Sequence, residues 1–198
     1  MSLTACGGST DTAKTDQADG KDTFTVGFDQ DFPPFGYVGD DGEFTGFDIE
    51  MATECAARMG KKIVLQPIDW DAKDMELEAG TIDCIWNGFT MNGREDQYTW
   101  TDPYMDNSQV VVVKKDSGIN TLADLAGKVV EVQKESAAET ALNDEEHADL
   151  MASFAQLLSV GEYNTAFMDL ESGAVDAVAI DIGVAQFQIE GKKISIRF

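Results

Sequence analysis

The sequence predicts an α/β fold of two similar lobes, and two observations support it. Short apolar segments that read as strands alternate with segments of helical periodicity, a pattern typical of α/β proteins. The chain also repeats one pattern, at residues 77–85 (LEAGTIDCI) and 170–178 (LESGAVDAV): a helix ends at a glycine, and an acidic residue precedes a buried strand. This repeat aligns Gly88 with Asp181. We therefore expect two equivalent strand ends that face one cleft.

The chain divides into three parts by composition. Residues 1–22 are polar, carry Gly7, Gly8 and Gly20 and lack periodicity, so we expect a disordered tether there. A strand at residues 109–114 is followed by the turn residues 115–118, which predicts a boundary between a first lobe at 23–113 and a second at 114–198.

In the first lobe, apolar alternation predicts a strand at 24–28, which two prolines bring to an end. Residues 39–42 have the composition of a hairpin turn. The next segments are predicted to be a helix at 47–59 with Asp48 as its N-cap and Gly60 just past its end, a strand at 62–67, a short helix through Glu78 and a buried strand at 82–86.

The second lobe has the same alternation. We expect a short capped helix at 121–127, a strand at 128–133, a helix that begins at Ser136 with Glu139 completing a capping box, a helix at 162–170, a strand at 174–180 and a last helix at 182–189. Free amide groups at the Ser136 helix start would attract an anion.

Charge and cysteine content exclude several classes of function. With 14 basic and 37 acidic residues the formal charge is −23, which disfavours binding to nucleic acid or to an anionic membrane surface. No apolar run approaches the roughly 18 residues of a membrane-spanning helix. Three cysteines make a disulfide framework unexpected, and we interpret Cys55 and Cys84 as small buried apolar residues.

The strand end at residues 86–94 has the composition of a ligand site. Asn87, Gly88 and Thr90 are small polar groups, and Arg94 offers a planar fork that matches a carboxylate. The alternative for Arg94 is an exposed side chain paired with Glu95 or Asp96.

Several motifs, in their order and spacing, resemble the polar amino-acid solute-binding proteins of ABC importers, known as bacterial extracellular solute-binding protein family 3. They are residues 29–35 (DQDFPPF), 46–50 (GFDIE), 90–94 (TMNGR), 101–104 (TDPY), 122–128 (LADLAGK) and the strand end at Asp181. The resemblance covers residue 24 to about 193. It implies a type II periplasmic-binding-protein fold, in which two α/β lobes joined by a hinge close on a ligand, and it implies an ABC permease as partner.

The resemblance also implies a role for each site residue. Arg94 would pair with the α-carboxylate of an amino acid, helped by the Thr90 amide and the Ser136 helix start. Asp181, Thr90 and the Gly88 carbonyl would bind the α-ammonium. Phe32 and Trp70 would flank the ligand side chain, and Asp29 would meet its polar tip. A zwitterion buried from water needs such a paired charge at each end.

Each of these roles has a structural alternative. Phe32, Phe35 and Trp70 could belong only to a core, because aromatic residues at the base of a loop often do. Asp181 could merely cap the helix that starts at Ile182. Asp48 is interpreted as a cap rather than a ligand group.

The chain departs from the family in three ways. Thr90 to Arg94 is one residue shorter than in many members. Lys134 and Glu135 replace the small residues that often precede Ser136, which predicts a crowded cleft. Members usually continue for several tens of residues beyond a segment like 191–194, so we expect a C-terminally truncated fold that lacks the return crossing and the closing helices. An exposed apolar edge would then favour instability or self-association.

The N-terminal residues 3–6 (LTAC), followed by two glycines, resemble a bacterial lipobox. This implies that Cys6 carries a lipid in the native protein and that the native protein is extracytoplasmic and anchored to the cell membrane. The alternative is that Cys6 is an incidental thiol.

Two rival functions remain open. An enzyme on the same fold, such as a dehydratase or a cell-wall lyase, usually needs a histidine, and the only one, His147, lies in a charged run. The sequence has no metal-ligand spacing and no phosphate-binding loop, so we expect no metal and no cofactor. An effector-binding domain of a transcription regulator would need a basic DNA-binding segment, which residues 1–22 do not provide.

Overall fold

The computed structural model describes residues 22–190 and 194–197. The predicted tether, apart from Asp22, lies outside the described residues, and so does Cys6. Within the described ranges, no helix is both long and apolar enough to span a bilayer.

Strands and helices alternate through both halves of the chain. The strands are β1 (Thr23–Phe28), β2 (Asp31–Phe32), β3 (Gly36–Val38), β4 (Phe44–Thr45), β5 (Lys62–Pro67), β6 (Cys84–Ile85), β7 (Gln109–Lys114), β8 (Val129–Gln133), β9 (Gln156–Val160), β10 (Ala177–Asp181) and β11 (Ile194–Arg197). The helices are α1 (Phe47–Arg58), α2 (Lys73–Ala79), α3 (Ala137–Leu142), α4 (Ala148–Ser153), α5 (Tyr163–Ser172) and α6 (Ile182–Ile189), with 3₁₀ segments at Trp70–Ala72, Leu122–Leu125 and Glu145–His147.

The first lobe is built on a parallel sheet in the order β5-β1-β6. β1 pairs with β5 along its whole length, from Thr23 opposite Lys62 to Phe28 opposite Pro67. β6 contains only Cys84 and Ile85, both half-buried, so the strand predicted at 82–86 is shorter and less buried than expected. α1 packs against β1 and β5 and positions this sheet.

Helix α1 begins after Gly46, so the prediction that Asp48 is its N-cap was wrong. Gly46 has φ 126°, and a Cβ there would lie 2.3 Å from the Phe35 carbonyl oxygen, so only glycine fits at the turn into the helix. Asp48 lies in the first helical turn and is fully buried. At the other end, Gly60 has φ 69° and the Lys61 N–H donates to the Ala56 carbonyl at 2.9 Å, which confirms the predicted helix end.

The second lobe is built on a sheet in the order β11-β7-β10-β8-β9. β7 runs antiparallel between β10 and β11, with Gln109 opposite Asp181. The structure thus places residues 109–113 in the second lobe, whereas the predicted boundary put them in the first. The physical reason is strand pairing: β7 has its hydrogen-bonding partners in the second sheet, and a boundary chosen from the turn at 115–118 cannot reveal which sheet a strand joins.

The internal repeat is confirmed in detail. α2 and α5 both end at a glycine with positive φ, Gly80 at 69° and Gly173 at 88°. The acidic residue of each copy then binds the neighbouring strand: Asp83 accepts a hydrogen bond from the Thr25 N–H at 2.8 Å, and Asp176 accepts one from the Val129 N–H at 2.9 Å. The two copies therefore bring β6 and β10 to corresponding positions in their sheets.

The hairpin after β1 joins the two lobes. β2, β3 and β4 form a small antiparallel sheet, and the Gly39 N–H donates to the Glu43 carbonyl at 2.8 Å across the predicted turn. Phe32 and Phe35 of this hairpin are buried in the core of the second lobe, in a cluster with Tyr163, Ile180 and Val184 among others. The lobes are thus in direct apolar contact beside the cleft.

Candidate ligand-binding site

A small cavity is lined by residues from both lobes. Eight of the nine predicted site residues line it, and Asp29 does not. The lining consists of Phe32, Trp70, Asn87, Gly88, Phe89, Thr90, Arg94, Gln133, Ser136, Ala137 and Asp181. His147, the only histidine of the sequence, is not among them.

Arg94 is buried in the cavity wall, with 7% of its surface exposed, which excludes the alternative of an exposed arginine. Its Nη1 donates to the Thr90 carbonyl at 3.3 Å. Its Nη2 donates to the Glu135 carbonyl at 3.0 Å and to the Thr140 hydroxyl at 3.2 Å. The guanidinium also lies over the Phe89 ring, 5.2 Å from its centroid. The arginine is therefore fixed by contacts with both lobes.

Asp181 supplies the opposite charge and is also buried, with 5% exposed. It occupies the N-cap position of α6 but makes no capping hydrogen bond, so the alternative that it merely caps this helix does not hold. Its Oδ1 accepts hydrogen bonds from the Asn107 amide and, at 2.8 Å, from the Gln109 amide. Burial raises the pKa of Asp181, while these two amides and, more weakly, Arg94 act to lower it.

The strand end after β6 is held by side-chain contacts. The buried Asn87 amide oxygen accepts a hydrogen bond from the Asp29 N–H at 2.9 Å. Gly88 has φ 57°, and its N–H donates to the Tyr104 hydroxyl at 3.2 Å. The Thr90 hydroxyl accepts a hydrogen bond from the Asn107 amide at 3.0 Å. Asn107 thus joins Thr90 to Asp181 across the cavity.

Asp29 lies behind the cavity, where it lines a larger groove. Its Oδ2 accepts a hydrogen bond from the Gln133 amide at 2.6 Å, and Gln133 itself lines the cavity. Burial raises the pKa of Asp29 to about 6, although hydrogen bonds from the Asp31 N–H and from Gln133 act to lower it. The groove is acidic: six of its twelve lining residues are carboxylates, namely Asp29, Asp31, Asp69, Asp71, Glu76 and Glu162.

The sequence left two alternatives for the aromatic residues, a position in a core or a position in the wall of the ligand site, and both occur. Phe32 belongs to the core of the second lobe and also lines the cavity, whereas Phe35 is only a core residue. Trp70 lines both the cavity and the acidic groove, and its ring packs edge-on against Phe89 with centroids 5.1 Å apart. Trp70 therefore marks the point where the two spaces meet.

Ser136 is the N-cap of α3, as predicted, and its hydroxyl accepts a hydrogen bond from the Glu139 N–H at 3.1 Å. The capping box is incomplete, because the Glu139 carboxylate accepts from the Glu135 N–H instead of the Ser136 N–H. Glu135 has φ 61°, and its carbonyl reaches Arg94. The crowding of the cleft predicted at residues 134–135 thus takes the form of a direct contact between Glu135 and Arg94.

Sequence reasoning missed three polar residues that hold the site together: Asn107, Gln109 and Gln133. Gln133 ends a predicted strand, so its position at a strand end was a usable signal. Gln109 begins β7 and Asn107 lies two residues before it, and they reach Asp181 only because β7 is antiparallel to β10. No local pattern reveals that direction.

Comparison with known proteins points to a single family. The profile of the bacterial extracellular solute-binding proteins, family 3, matches residues 24–167. The L-cystine-binding protein TcyJ of Escherichia coli strain K12 is 32% identical over 162 residues, which cover 80% of this chain and 59% of TcyJ. The arginine-binding extracellular protein ArtP of Bacillus subtilis strain 168 is 35% identical over 134 residues, 67% of this chain and 51% of ArtP. The chain therefore spans less than two thirds of the length of these relatives.

Solved structures agree with the sequence relatives. A substrate-binding protein of an ABC uptake transporter from Streptococcus pneumoniae, with bound histidine, superposes with a TM-score of 0.83 and 35% identity, covering 89% of this chain and 74% of that one. The architecture is thus the type II periplasmic-binding-protein fold, as predicted. All three of these relatives are named as binding proteins, which supports a binding function over the enzyme alternative.

Proposed function

The chain belongs to family 3 of the bacterial extracellular solute-binding proteins, and on that premise we propose that it captures a polar amino acid for an ABC importer. One observation carries the proposal. Arg94 and Asp181, of opposite charge, are both more than nine-tenths buried in the wall of one cavity. A zwitterion is a ligand that can offset both buried charges at once.

In this proposal Arg94 binds the α-carboxylate, together with the Thr90 amide and the Ser136 helix start. Asp181 binds the α-ammonium, helped by the Thr90 hydroxyl and the Gly88 carbonyl. Each charge then meets its opposite, with hydrogen bonds that are about twice as strong as those between neutral groups.

The ligand side chain would lie between Phe32 and Trp70 and point towards the acidic groove. Gln133 and Asp29 meet it there, and Asn87 holds the Asp29 backbone in place. A carboxylate and an amide at this position favour a side chain that donates hydrogen bonds, either basic or amide-containing.

Capture would proceed by closure of the two lobes. The cavity draws Arg94 and Thr90 from the first lobe and Asp181 and Ser136 from the second, so a ligand touches all four only when the lobes meet. A ligand that makes contacts available only in the closed form shifts the population towards that form. The permease would recognise the closed shape.

The native protein would act outside the cytoplasm, with a lipid on Cys6 as its anchor to the cell membrane. Labelling cells with a fatty-acid analogue would test the anchor: native protein should take up the label, and a Cys6→Ala variant should not. Self-association, expected from the sequence, is tested by light scattering over a concentration series, where a monomer at every concentration would contradict it.

The binding function is tested by a thermal-shift screen of the twenty amino acids, followed by calorimetry on each hit. For a hit, its α-carboxamide and its N-acetyl derivative should bind at least about 100-fold more weakly, because each leaves one buried charge unpaired. Arg94→Ala should abolish binding of the parent amino acid. Retention of tight binding by both derivatives would exclude the zwitterion site.

A further inference from the structure

Two residues in the turn between β8 and α3 connect the second lobe to one short segment of the first. The Lys134 Nζ lies 2.8 Å from the Asp71 Oδ2, and the Glu135 Oε2 lies 3.5 Å from the Lys73 Nζ. Asp71 and Lys73 lie in and just after the 3₁₀ segment at Trp70–Ala72. Two ion pairs of opposite polarity therefore join the same two segments, which specifies how they align across the cleft.

The backbone of this turn takes part as well. The Glu135 carbonyl accepts hydrogen bonds from the Trp70 Nε1 at 3.3 Å and from the Arg94 Nη2 at 3.0 Å. Glu135, at φ 61°, is the one non-glycine residue with positive φ in the part of the chain that the structure describes. This conformation is disfavoured for residues with a side chain and tends to persist where surrounding contacts support it.

The two charged residues of the first-lobe segment, Asp71 and Lys73, are each held by contacts with neighbouring side chains. Lys73 is buried, with 2% of its surface exposed, and its ammonium lies 5.3 Å from the centre of a Trp70 ring. The Lys134 ammonium lowers the pKa of Asp71, chiefly through their hydrogen bond, and Asp71 in turn raises the pKa of Lys134. Both pKa shifts have the direction expected for a pair that is charged when the lobes are together.

The Glu135 carbonyl also takes up one hydrogen-bond donor of Arg94. A carboxylate that binds arginine through two nitrogens uses Nη2 together with Nη1 or Nε. Nη2 already donates to the Glu135 carbonyl and to the Thr140 hydroxyl. A two-pronged ligand carboxylate would therefore have to replace or share one of these acceptors.

We propose that Lys134 and Glu135 form a clasp that favours the closed arrangement of the lobes by direct contact. The Glu135 carbonyl holds Arg94 in this arrangement, and a bound carboxylate would replace or share either this carbonyl or the Thr140 hydroxyl. The clasp contacts join protein to protein, so they favour closure whether or not a ligand is bound. The equilibrium between open and closed forms is thus set in part by residues outside the proposed amino-acid contacts.

The test uses protein freed of any bound small molecule by dialysis in denaturant and refolding. Lys134→Glu places a like charge against Asp71 and should lower the ratio of closed to open protein by about fivefold. Small-angle X-ray scattering should then give a larger radius of gyration than for the wild type. Reversing the pair in the double variant Asp71→Lys/Lys134→Glu should restore the wild-type value. Lys115→Glu, an equal charge change at an exposed site after β7, is the matched control and should have no effect.

A second measurement follows Trp70 directly. The sequence has three tryptophans, so ¹⁵N labelling gives three indole signals, and Trp70→Phe assigns one of them. That signal should shift in Lys134→Glu, because opening breaks the hydrogen bond to Glu135, and should return in the double variant. Glu135→Gln, which removes the charge pair with Lys73, should shift it in the same direction by less.

The proposal is overturned if Lys134→Glu leaves both the radius of gyration and the Trp70 signal at their wild-type values. It is also overturned if the charge-reversed double variant is as open as Lys134→Glu. These measurements need no ligand, so the clasp can fail while the proposed amino-acid binding stands, and the reverse is also true.

Discussion

The hydroxyl of Tyr104 donates a hydrogen bond to the Asp48 carboxylate at 2.9 Å, and it accepts one from the Gly88 N–H at 3.2 Å. Asp48 lies in the first turn of α1 and is fully buried, whereas Gly88 lies in the cavity wall. One phenol group therefore connects the start of a core helix to the backbone of the proposed binding site. A buried carboxylate in this position supports the site without touching a ligand.

Tyr104→Phe should destabilise the protein by about 1 to 3 kcal/mol, because it removes a hydrogen bond to a buried charged group. It should also weaken amino-acid binding severalfold, since the Gly88 peptide loses an acceptor. Urea unfolding and calorimetry measure the two effects. Tyr98→Phe is the control: Tyr98 donates to the exposed Asp74, and its loss should cost less than about 1 kcal/mol. Equal effects of the two substitutions would contradict the proposed role of Tyr104.

The stability of the protein should rise as the pH falls from 7 to 5. Burial raises the pKa of Asp29 and of Asp48 to about 6, from an ordinary value of 3.8. Between these two values the folded protein binds protons that the unfolded chain does not bind, so protonation favours the folded state. The two groups together should add about 2 to 3 kcal/mol to the free energy of unfolding over this range.

Lowering the pH also weakens repulsion between the acidic groups of a chain with a formal charge of −23. Single substitutions separate the contribution of Asp29 and Asp48 from this general effect. Asp29→Asn and Asp48→Asn should each reduce the stability gained between pH 7 and pH 5 by about 1 kcal/mol. Urea unfolding at the two pH values measures the difference. A wild-type protein that loses stability over this range would show that these carboxyls do not carry the predicted proton uptake.

Glycine at position 46 should be irreplaceable for steric reasons. Gly46→Ala would place a Cβ 2.3 Å from the Phe35 carbonyl oxygen, at a φ of 126° that residues with a side chain avoid. We expect a loss of about 3 kcal/mol or more in unfolding free energy. Gly42→Ala is the control, because Gly42 also has a positive φ of 83° but its Cβ would meet nothing within 4 Å. It should cost only about 1 kcal/mol, and a comparable loss in both would contradict the steric argument.

The sequence was sufficient for those parts of the structure that depend on local patterns. The repeat at 77–85 and 170–178 gave two equivalent strand ends, and the residues it aligned, Gly88 and Asp181, line one cavity. Glycine helix ends at Gly60, Gly80 and Gly173 follow from the need for positive φ. These features can be predicted from the sequence because each depends on residues a few positions apart.

The rest depends on pairing between distant segments. The antiparallel direction of β7 decides that Gln109 lies opposite Asp181, and no nearby residue encodes that direction. β9 and α4, which were not predicted, are short and only partly buried, so they lack a clear periodicity. Asp48 is of a residue type that often caps a helix, but in the fold its carboxylate accepts a hydrogen bond from Tyr104 instead.

Two aspartates lie at the ends of β10, Asp176 just before it and Asp181 at its last position. Their substitutions allow effects on ligand affinity to be separated from effects on stability. Asp181→Asn keeps the size of the side chain and an oxygen that can accept from Asn107 and Gln109, but it removes a buried charge. The fold should therefore keep its stability near neutral pH, because burial raises the pKa of Asp181 and so disfavours its charged form. Amino-acid affinity should fall by about 100-fold or more, because the α-ammonium loses its counter-charge.

Asp176→Asn should give the opposite result. Asp176 accepts a hydrogen bond from the Val129 N–H and lies 3.8 Å from the Lys128 ammonium, away from the cavity lining. Its substitution should lower the unfolding free energy by about 1 kcal/mol, because it removes the charge that strengthens this hydrogen bond and pairs with Lys128, and it should leave the affinity unchanged. Calorimetry with the amino acid identified by the screen, paired with urea unfolding, measures both quantities for both variants. Wild-type affinity in Asp181→Asn would remove Asp181 from the binding site, because a ligand whose ammonium meets that carboxylate cannot be indifferent to its charge.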